Sequence, residues 1–400
     1  MSLNHVLDVD FKMLLGINDV TITDVLIQES EIHIYCESPF AEVYCPVTLQ
    51  KCSDVNMSYT RTIRDLPISG KRVCLLVKER QFHSPHAGCY FSERFSFVES
   101  HQKQTIRYQK YIYDSCKDSG LQRVVVQEDL CWKTVNSIYK RYAEKALKQR
   151  DNAPPHALGI DEFAHKKGHK DYAAVLVDLE QGYVIDVLPY RDKERLTTYF
   201  NDKGKAWCDT VEVFSCDMWG GYVTVANDVF PNVTIVIDRF HFFAHMNKAV
   251  DNIRKQLRRK FPDDEQLKGA KWLLLKNPEN LSEKEKHTLK QLLTSFPKLK
   301  SAYDLKNELR DIFETDLSRE KAEKQIDLWV EKVEELNNCA TNKFLKTLQN
   351  WKDHMLNYFI ERVSNGIVEG INNKIKMIKR MAYGFRNFEH MRLRIITSFD

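Results

Sequence analysis

Three short stretches carry the residue types that phosphoryl transfer needs, in a fixed order: LGIDEFAHKKGHKDY, VFSCDMWGGY and SNGIVEGINNKIKMIKRMAYGF. Asp161 and Asp217 each stand at the exit of an apolar, β-branched run. Glu369 falls in a stretch of helical period. At 3.6 residues per turn it shares one face with Asn372, Asn373, Lys376, Lys379 and Arg380, opposite an expected core stripe of Ile367, Ile371, Ile375 and Ile378. Hard divalent cations take carboxylate oxygens, so two strand-end aspartates and a helix-borne glutamate could hold a pair of them. The Lys and Arg side chains beside Glu369, with Lys376, Lys379 and Arg380 expected to touch phosphates, suit a polyanion. The chemistry implied is metal-dependent cutting and joining of DNA strands.

Each acid has a bland alternative. Asp161 alone could be a solvated loop acid, and Glu162 beside it would point to the other side of a sheet. Asp238, ending the TIVIDRF strand signal, competes with Asp217. In the strand order such a chain would adopt, the strand of Asp217 lies beside that of Asp161 and the strand of Asp238 one place further out. Glu369 alone could make surface ion pairs of little worth. Trp219 and Tyr222 could touch bases or simply pack.

Elements that position these residues can be read from period and punctuation. Residues 1–102 are β-rich, with alternation over VTITDVLIQESEIHIYCES and KRVCLLVKERQFH. Residues 103–150 turn helical, with a first helix stopped by Gly120 and a long second one over Trp132–Arg150. DNAPP at 151–155 reads as a linker. Beyond it a β-β-β-α-β-α-β order predicts a mixed α/β core over 155–244, resumed at 359–400 from about Ser364 after a helical insertion at 245–358. The pair of helices before the linker has the look of a helix-turn-helix, with Lys133, Asn136, Lys140 and Arg141 able to face DNA. A helical hairpin packed on the core is the alternative.

Composition narrows the classes. The 400 residues are 43% hydrophobic and 29% charged, an ordinary globular balance that predicts two to four domains. Net charge is only +4, but it is partitioned. Residues 361–400 hold eight Lys/Arg against four Asp/Glu, whereas residues 301–340 hold six against eleven. One surface is thus suited to DNA and another not. No secretory signal or membrane-length apolar run is present, so a cytoplasmic protein with no membrane partner and reduced cysteines is expected.

The motifs GIDEFAxxKGHxDY, SxDMWxxY, IDRFH and VEGxNNxIKxIKRxxYGFRNFExxRxR resemble, in order and wording, the DDE transposases of bacterial insertion sequences, specifically the ISL-three family. The resemblance covers roughly residues 40–395. It implies a ribonuclease-H-like catalytic fold interrupted by an α-helical insertion. It also implies Asp161, Asp217 and Glu369, 56 and 152 residues apart, as ligands of two Mg²⁺ (or Mn²⁺) ions. The expected partner is double-stranded DNA, as terminal inverted repeats and target, and a homodimer would bring two ends together. A nuclease or resolvase of the same fold, or a non-catalytic DNA-binding descendant, are the rival readings.

Cys45, Cys52, His83 and Cys89 could form a Cys₃His zinc site, with His86 or Cys36 as substitutes. The family's usual CPxC pair is only half matched. Cys45-Pro46 is present, but Thr48 stands where the second cysteine belongs and His83 replaces the first of the later pair. A metal-free β-module is the equal alternative.

Overall fold

The computed structural model describes residues 11–149, 153–165, 172–363 and 366–399. Arg150 and the first two linker residues, residues 166–171 of the KGH motif, and Ser364 lie outside the described residues. The chain forms two compact units, Met1–Gln149 and Arg150–Asp400.

Among the described residues of the first unit, a helical stretch at 11–15 is followed by β1 (Thr21–Ile27), β2 (Glu31–Glu37), β3 (Val43–Tyr44), β4 (Lys51–Cys52), β5 (Val55–Ile68), β6 (Lys71–Ser84) and β7 (Cys89–Ser92), and then by three helices. The main sheet runs β1-β2-β6-β5, with β7 also on β6. Alternation works as expected on β2 and β6, where Ile32, Ile34, Val73, Leu75 and Val77 share one buried cluster. Strand β5 has no signal in the sequence, because its first six residues are exposed and polar or apolar without order. Its pairing is set instead by the two-residue turn Ser69-Gly70, both at positive φ.

The helices α1 (Ile106–Ser119), α2 (Leu121–Glu128) and α3 (Trp132–Gln149) follow. Two were expected. Gly120 does end α1 (φ 90), but α2 starts at the next residue and is itself ended by Asp129 in the left-handed region (φ 49). Segments expected as separate modules at 1–102 and 103–150 share one compact unit, tied by Arg107 to the buried Asp65 and by Arg72 to Asp129 at 2.7 Å.

The second unit opens with β8 (Ala157–Ala164), β9 (Tyr172–Asp178) and β10 (Tyr183–Leu188), then α4 (Lys193–Lys203), α5 (Lys205–Cys208), β11 (Val213–Cys216), α6 (Gly220–Val229) and β12 (Thr234–Ile237). The sheet order is β10-β9-β8-β11-β12. The first three strands are antiparallel, and β8, β11 and β12 are mutually parallel, so their C-terminal ends share one edge. Such edges are where open α/β sheets place ligands.

Helix α7 (Arg239–Lys260) leaves β12 at once and runs unbroken into the helical region. The insertion boundary expected at 245 therefore falls inside a single helix. Helices α8 (Ala270–Leu275), α9 (Glu283–Ser295), α10 (Pro297–Glu314), α11 (Arg319–Glu335) and α12 (Cys339–Leu356) complete the insertion. They close around Trp329, whose buried indole N–H donates to the Leu305 carbonyl at 2.8 Å. The chain returns through α13 (Tyr358–Glu361), α14 (Gly366–Met381) and α15 (Phe388–Ile396). Asn357 fixes the return by donating to the Ile235 carbonyl of β12 at 2.8 Å. Among the described residues no helix is long and apolar enough to cross a membrane.

Candidate active site

Strand register sets the acids in a row. On the parallel pair β8–β11, Gly159 stands opposite Ser215, and on β11–β12, Cys216 stands opposite Ile237. Continuing each ladder puts Asp161, Asp217 and Asp238 at one level on three neighbouring strands. Asp217 is the middle member, as the expected strand order requires. Glu162 points away, accepting from Tyr222 Oη at 2.8 Å and from Arg191 at 2.5 Å.

Burial of Asp161 pushes its carboxyl up to about 6, and the charges of Asp238 and Asp217 push the same way. Its Oδ1 accepts from the Glu162 amide at 2.6 Å and its Oδ2 from the Asn372 side chain at 2.5 Å. Asp238 is buried and occupied. It caps α7 through the Phe240 amide at 2.9 Å and accepts from His241 Nδ1 at 2.8 Å. His241 Nδ1 also lies 3.6 Å from Asp217 Oδ1. The Asp238 hydrogen bond, then the Asp217 charge, raises His241 to about 9, so it stands among the aspartates as an imidazolium. Sequence reading missed His241. Its signal was the i, i+3 spacing from Asp238 across the first turn of a helix.

Glu369 is exposed on α14 and lines one cleft of about 800 Å³ with Asp161, Asp238, His241, Asn372 and Lys376. The core stripe differs from the expected one only at its start. Ile371, Ile375 and Ile378 are buried as expected, but Val368 takes the place of Ile367, which is 41% exposed, and Asn372 lines the cleft as a buried residue. Gly159 explains why α14 can lie so close to β8. A Cβ there would meet Leu179 Cδ2 at 2.7 Å and Val368 Cγ2 at 3.2 Å. Among the described residues no group of three or more His, Cys, Asp or Glu is placed to hold a metal ion. Asp161, Asp217 and Asp238 are instead satisfied by Asn372, His241 and backbone amides.

A transposase family of the DDE type, the ISL-three group, matches residues 158–395, a span that contains all three acids of the row and Glu369. The chain belongs to this family. It is similar to the transposase for insertion sequence element IS1001 of Bordetella parapertussis, 30% identical over 373 residues, which are 92% of this chain and 91% of the relative. It is also similar to the transposase for insertion sequence element IS1557 of Mycobacterium tuberculosis, 27% identical over 287 residues, 64% of this chain and 63% of the relative.

The basic residues of this transposase differ in what they are free to do. Lys376 is exposed in the cleft and Arg380 is exposed at the end of α14. Lys379 is half-buried over the Phe163 ring and donates to the Ala164 carbonyl at the end of β8, and burial lowers its pKa. On α3, Lys133 and Lys140 are exposed, the latter 3.6 Å from Glu144, and Asn136 is half-buried. Arg141 bonds Gln109 and pairs with Glu99 at 2.7 Å, so it secures α3 to its own unit.

The expected zinc ligands of the transposase are not brought into one shell. Cys45 and Cys52 are buried with Phe82 in a small apolar cluster, and a hydrogen bond with Ser84 holds the Cys45 thiol down at about 6. Side chains alternate along β6, so His83, one residue before Ser84, faces away and meets Asp54 at 3.5 Å and the Tyr90 ring. Cys89 is half-buried on β7, His86 is exposed, and Cys36 belongs to the main-sheet core.

Proposed function

We propose that this chain is the transposase of an insertion sequence, binding terminal inverted repeats and cutting and joining DNA strands by two-metal phosphoryl transfer. The observation that carries the reading is the row Asp161–Asp217 on adjacent parallel strands, with Glu369 lining the cleft that reaches Asp161. The sheet order of three antiparallel strands followed by two parallel ones supports a ribonuclease-H-like core, with the acids at its carboxyl edge as the active site.

The donors suit Mg²⁺ or Mn²⁺. They are hard oxygens, and the Asp238 hydrogen bond with the negative charge of Asp217, Asp238 and Asp161 already favours a cation, His241, among them. Asp161, Asp217 and Glu369 would hold the ions, while Asp238 is committed to capping α7 and binding His241. Ions held by these carboxylates would supply the Lewis acidity that activates water or a 3′-hydroxyl as nucleophile and stabilises the leaving oxygen. Asn372 orients Asp161 through its amide. Lys376 supplies a cation where a phosphate enters, and His241 offsets the charge of Asp217 and Asp238. No side-chain nucleophile is required.

Helices α2 and α3, joined by three residues, form the helix-turn-helix of this reading, with Lys133, Asn136 and Lys140 facing DNA. Two copies act together, since two ends join one target. The test is cleavage and joining of duplexes carrying the element's own ends with Mg²⁺. Asp161→Asn, Asp217→Asn and Glu369→Gln should each abolish both steps while DNA binding persists. Wild-type cleavage with no joined product would leave a nuclease. Full activity of Asp217→Asn with an inactive Asp238→Asn would move the second ligand to Asp238.

A further inference from the structure

The geometry points to Phe240 as a stacking platform for an unpaired nucleobase at the DNA end, an inference that rests on the proposed function and extends it. Phe240 follows Asp238 by two residues at the start of α7 and lines the same cleft as Asp161, Asp238, Glu369 and Lys376, yet 61% of its surface is open. Single exposed apolar residues are common and carry no meaning by themselves. This one has a fixed backbone beside the acids. Its amide donates to Asp238 Oδ1 at 2.9 Å at the start of the helix, and its ring meets His241 edge-on, at 84° with centroids 5.7 Å apart, so its faces stay open near the acid row.

The cleft tells what such a face meets. Asp161 and Asp238 sit on its floor, buried or nearly so. A cleft of about 800 Å³ lies in the range that takes one compact group. A nucleotide that leaves the base stack to bring its phosphate to the row would carry its base beside Phe240. Every base has a π-face, and an aromatic side chain offsets the loss of its neighbours without reading its identity. Lys376 and Arg239, also lining the cleft, suit the phosphates on either side.

The full chain is tested without metal, so that binding alone is read. Two duplexes end in the element's terminal repeat, one fully paired and one with the last three pairs of the end mismatched. Wild type should prefer the mismatched end, because there the cost of unpairing is already met. Phe240→Ala should lose roughly 5- to 150-fold in affinity for the mismatched end, the range for loss of one stacked base. Phe240→Trp should restore it, and melting curves of both variants should match wild type. With 2-aminopurine at the terminal position of the paired duplex, wild type should raise its emission on binding and Phe240→Ala should not. A wild-type chain with no preference, or a Phe240→Ala variant that keeps both the preference and the emission rise, overturns the inference. If that same wild-type chain still cleaves and joins ends with Mg²⁺, only the stacking role falls. If it neither binds nor cuts them, the function itself is wrong.

Discussion

Asn372 on α14 donates its side-chain amide to Asp161 Oδ2 on β8, a 2.5 Å bond between residues 211 positions apart. It latches the helix of Glu369 to the first acid of the row. The other end of the same amide, Oδ1, is buried with no hydrogen-bond partner. Asn372→Ala should destabilise the protein by about 1–3 kcal/mol, the usual cost of leaving a buried polar group unpaired. Asn372→Asp sets carboxyl against carboxyl and should lower the melting temperature further in metal-free buffer, with Mn²⁺ recovering more of the loss than it adds to wild type. An Asn372→Asp protein that melts like wild type in chelator would show that the latch does not matter.

The acid row predicts a metal-free stability that falls as pH rises. Asp161, lifted to about 6 chiefly by burial, binds its proton more tightly folded than unfolded, so its ionisation removes stability from about pH 4 through 6. His241, lifted to about 9 chiefly by its bond to Asp238, contributes fully below about 6.5, and that contribution is lost as pH rises through 9. Denaturant unfolding at a series of pH values reads both. Asp161→Asn should flatten the lower limb and His241→Gln the upper. A His241→Gln profile parallel to wild type above pH 7 contradicts the assignment.

Gly159→Ala should do damage out of proportion to one methyl group. The added Cβ would meet Leu179 at 2.7 Å and Val368 at 3.2 Å, pressing α14 off the sheet. Overpacking of this kind costs about 1–3 kcal/mol. Cleavage should fall more than stability, because the displaced helix carries Glu369. Thermal melts beside cleavage rates decide it, and equal activity at lower stability would be the wrong result.

Lys376 and Lys379 are one turn apart and should behave differently. Neutralising exposed Lys376 should lower the salt slope of DNA binding by about one unit and weaken all sequences alike. Lys379→Ala should cost stability instead, because its ammonium already serves the Ala164 carbonyl and covers Phe163. Equal salt slopes for the two variants would show that both meet phosphate.

The sheet of the second unit was readable because its strands are short apolar runs ended by acids and separated by Gly or helical periods. The first turn of α14 was not. Ile367 and Val368 both continue the stripe of Ile371, Ile375 and Ile378, and Val368 is the one that packs near Gly159, 209 positions away. Asn372 does line the cleft, but its bond to Asp161 buries it. Strand β5 escaped because a half-exposed strand loses its alternation, and α2 because LQRVVVQE is too short and too β-branched to declare a helix. The zinc reading relied on spacing along β-hairpins, where one residue of register decides which face a ligand takes.

Helix α7 starts at the acid row and ends with exposed Arg258, Arg259 and Lys260, after 22 residues without a break. At 1.5 Å per residue it is a rod about 33 Å long. B-form DNA rises 3.4 Å per base pair, so the rod measures off about ten pairs, close to one full turn of the double helix. A duplex held at the cationic tip and presenting its end to the cleft would therefore show the same side of its backbone to both. In that arrangement the length of one helix would set the arc of DNA between the two, and inserting or deleting a turn of α7 would change it.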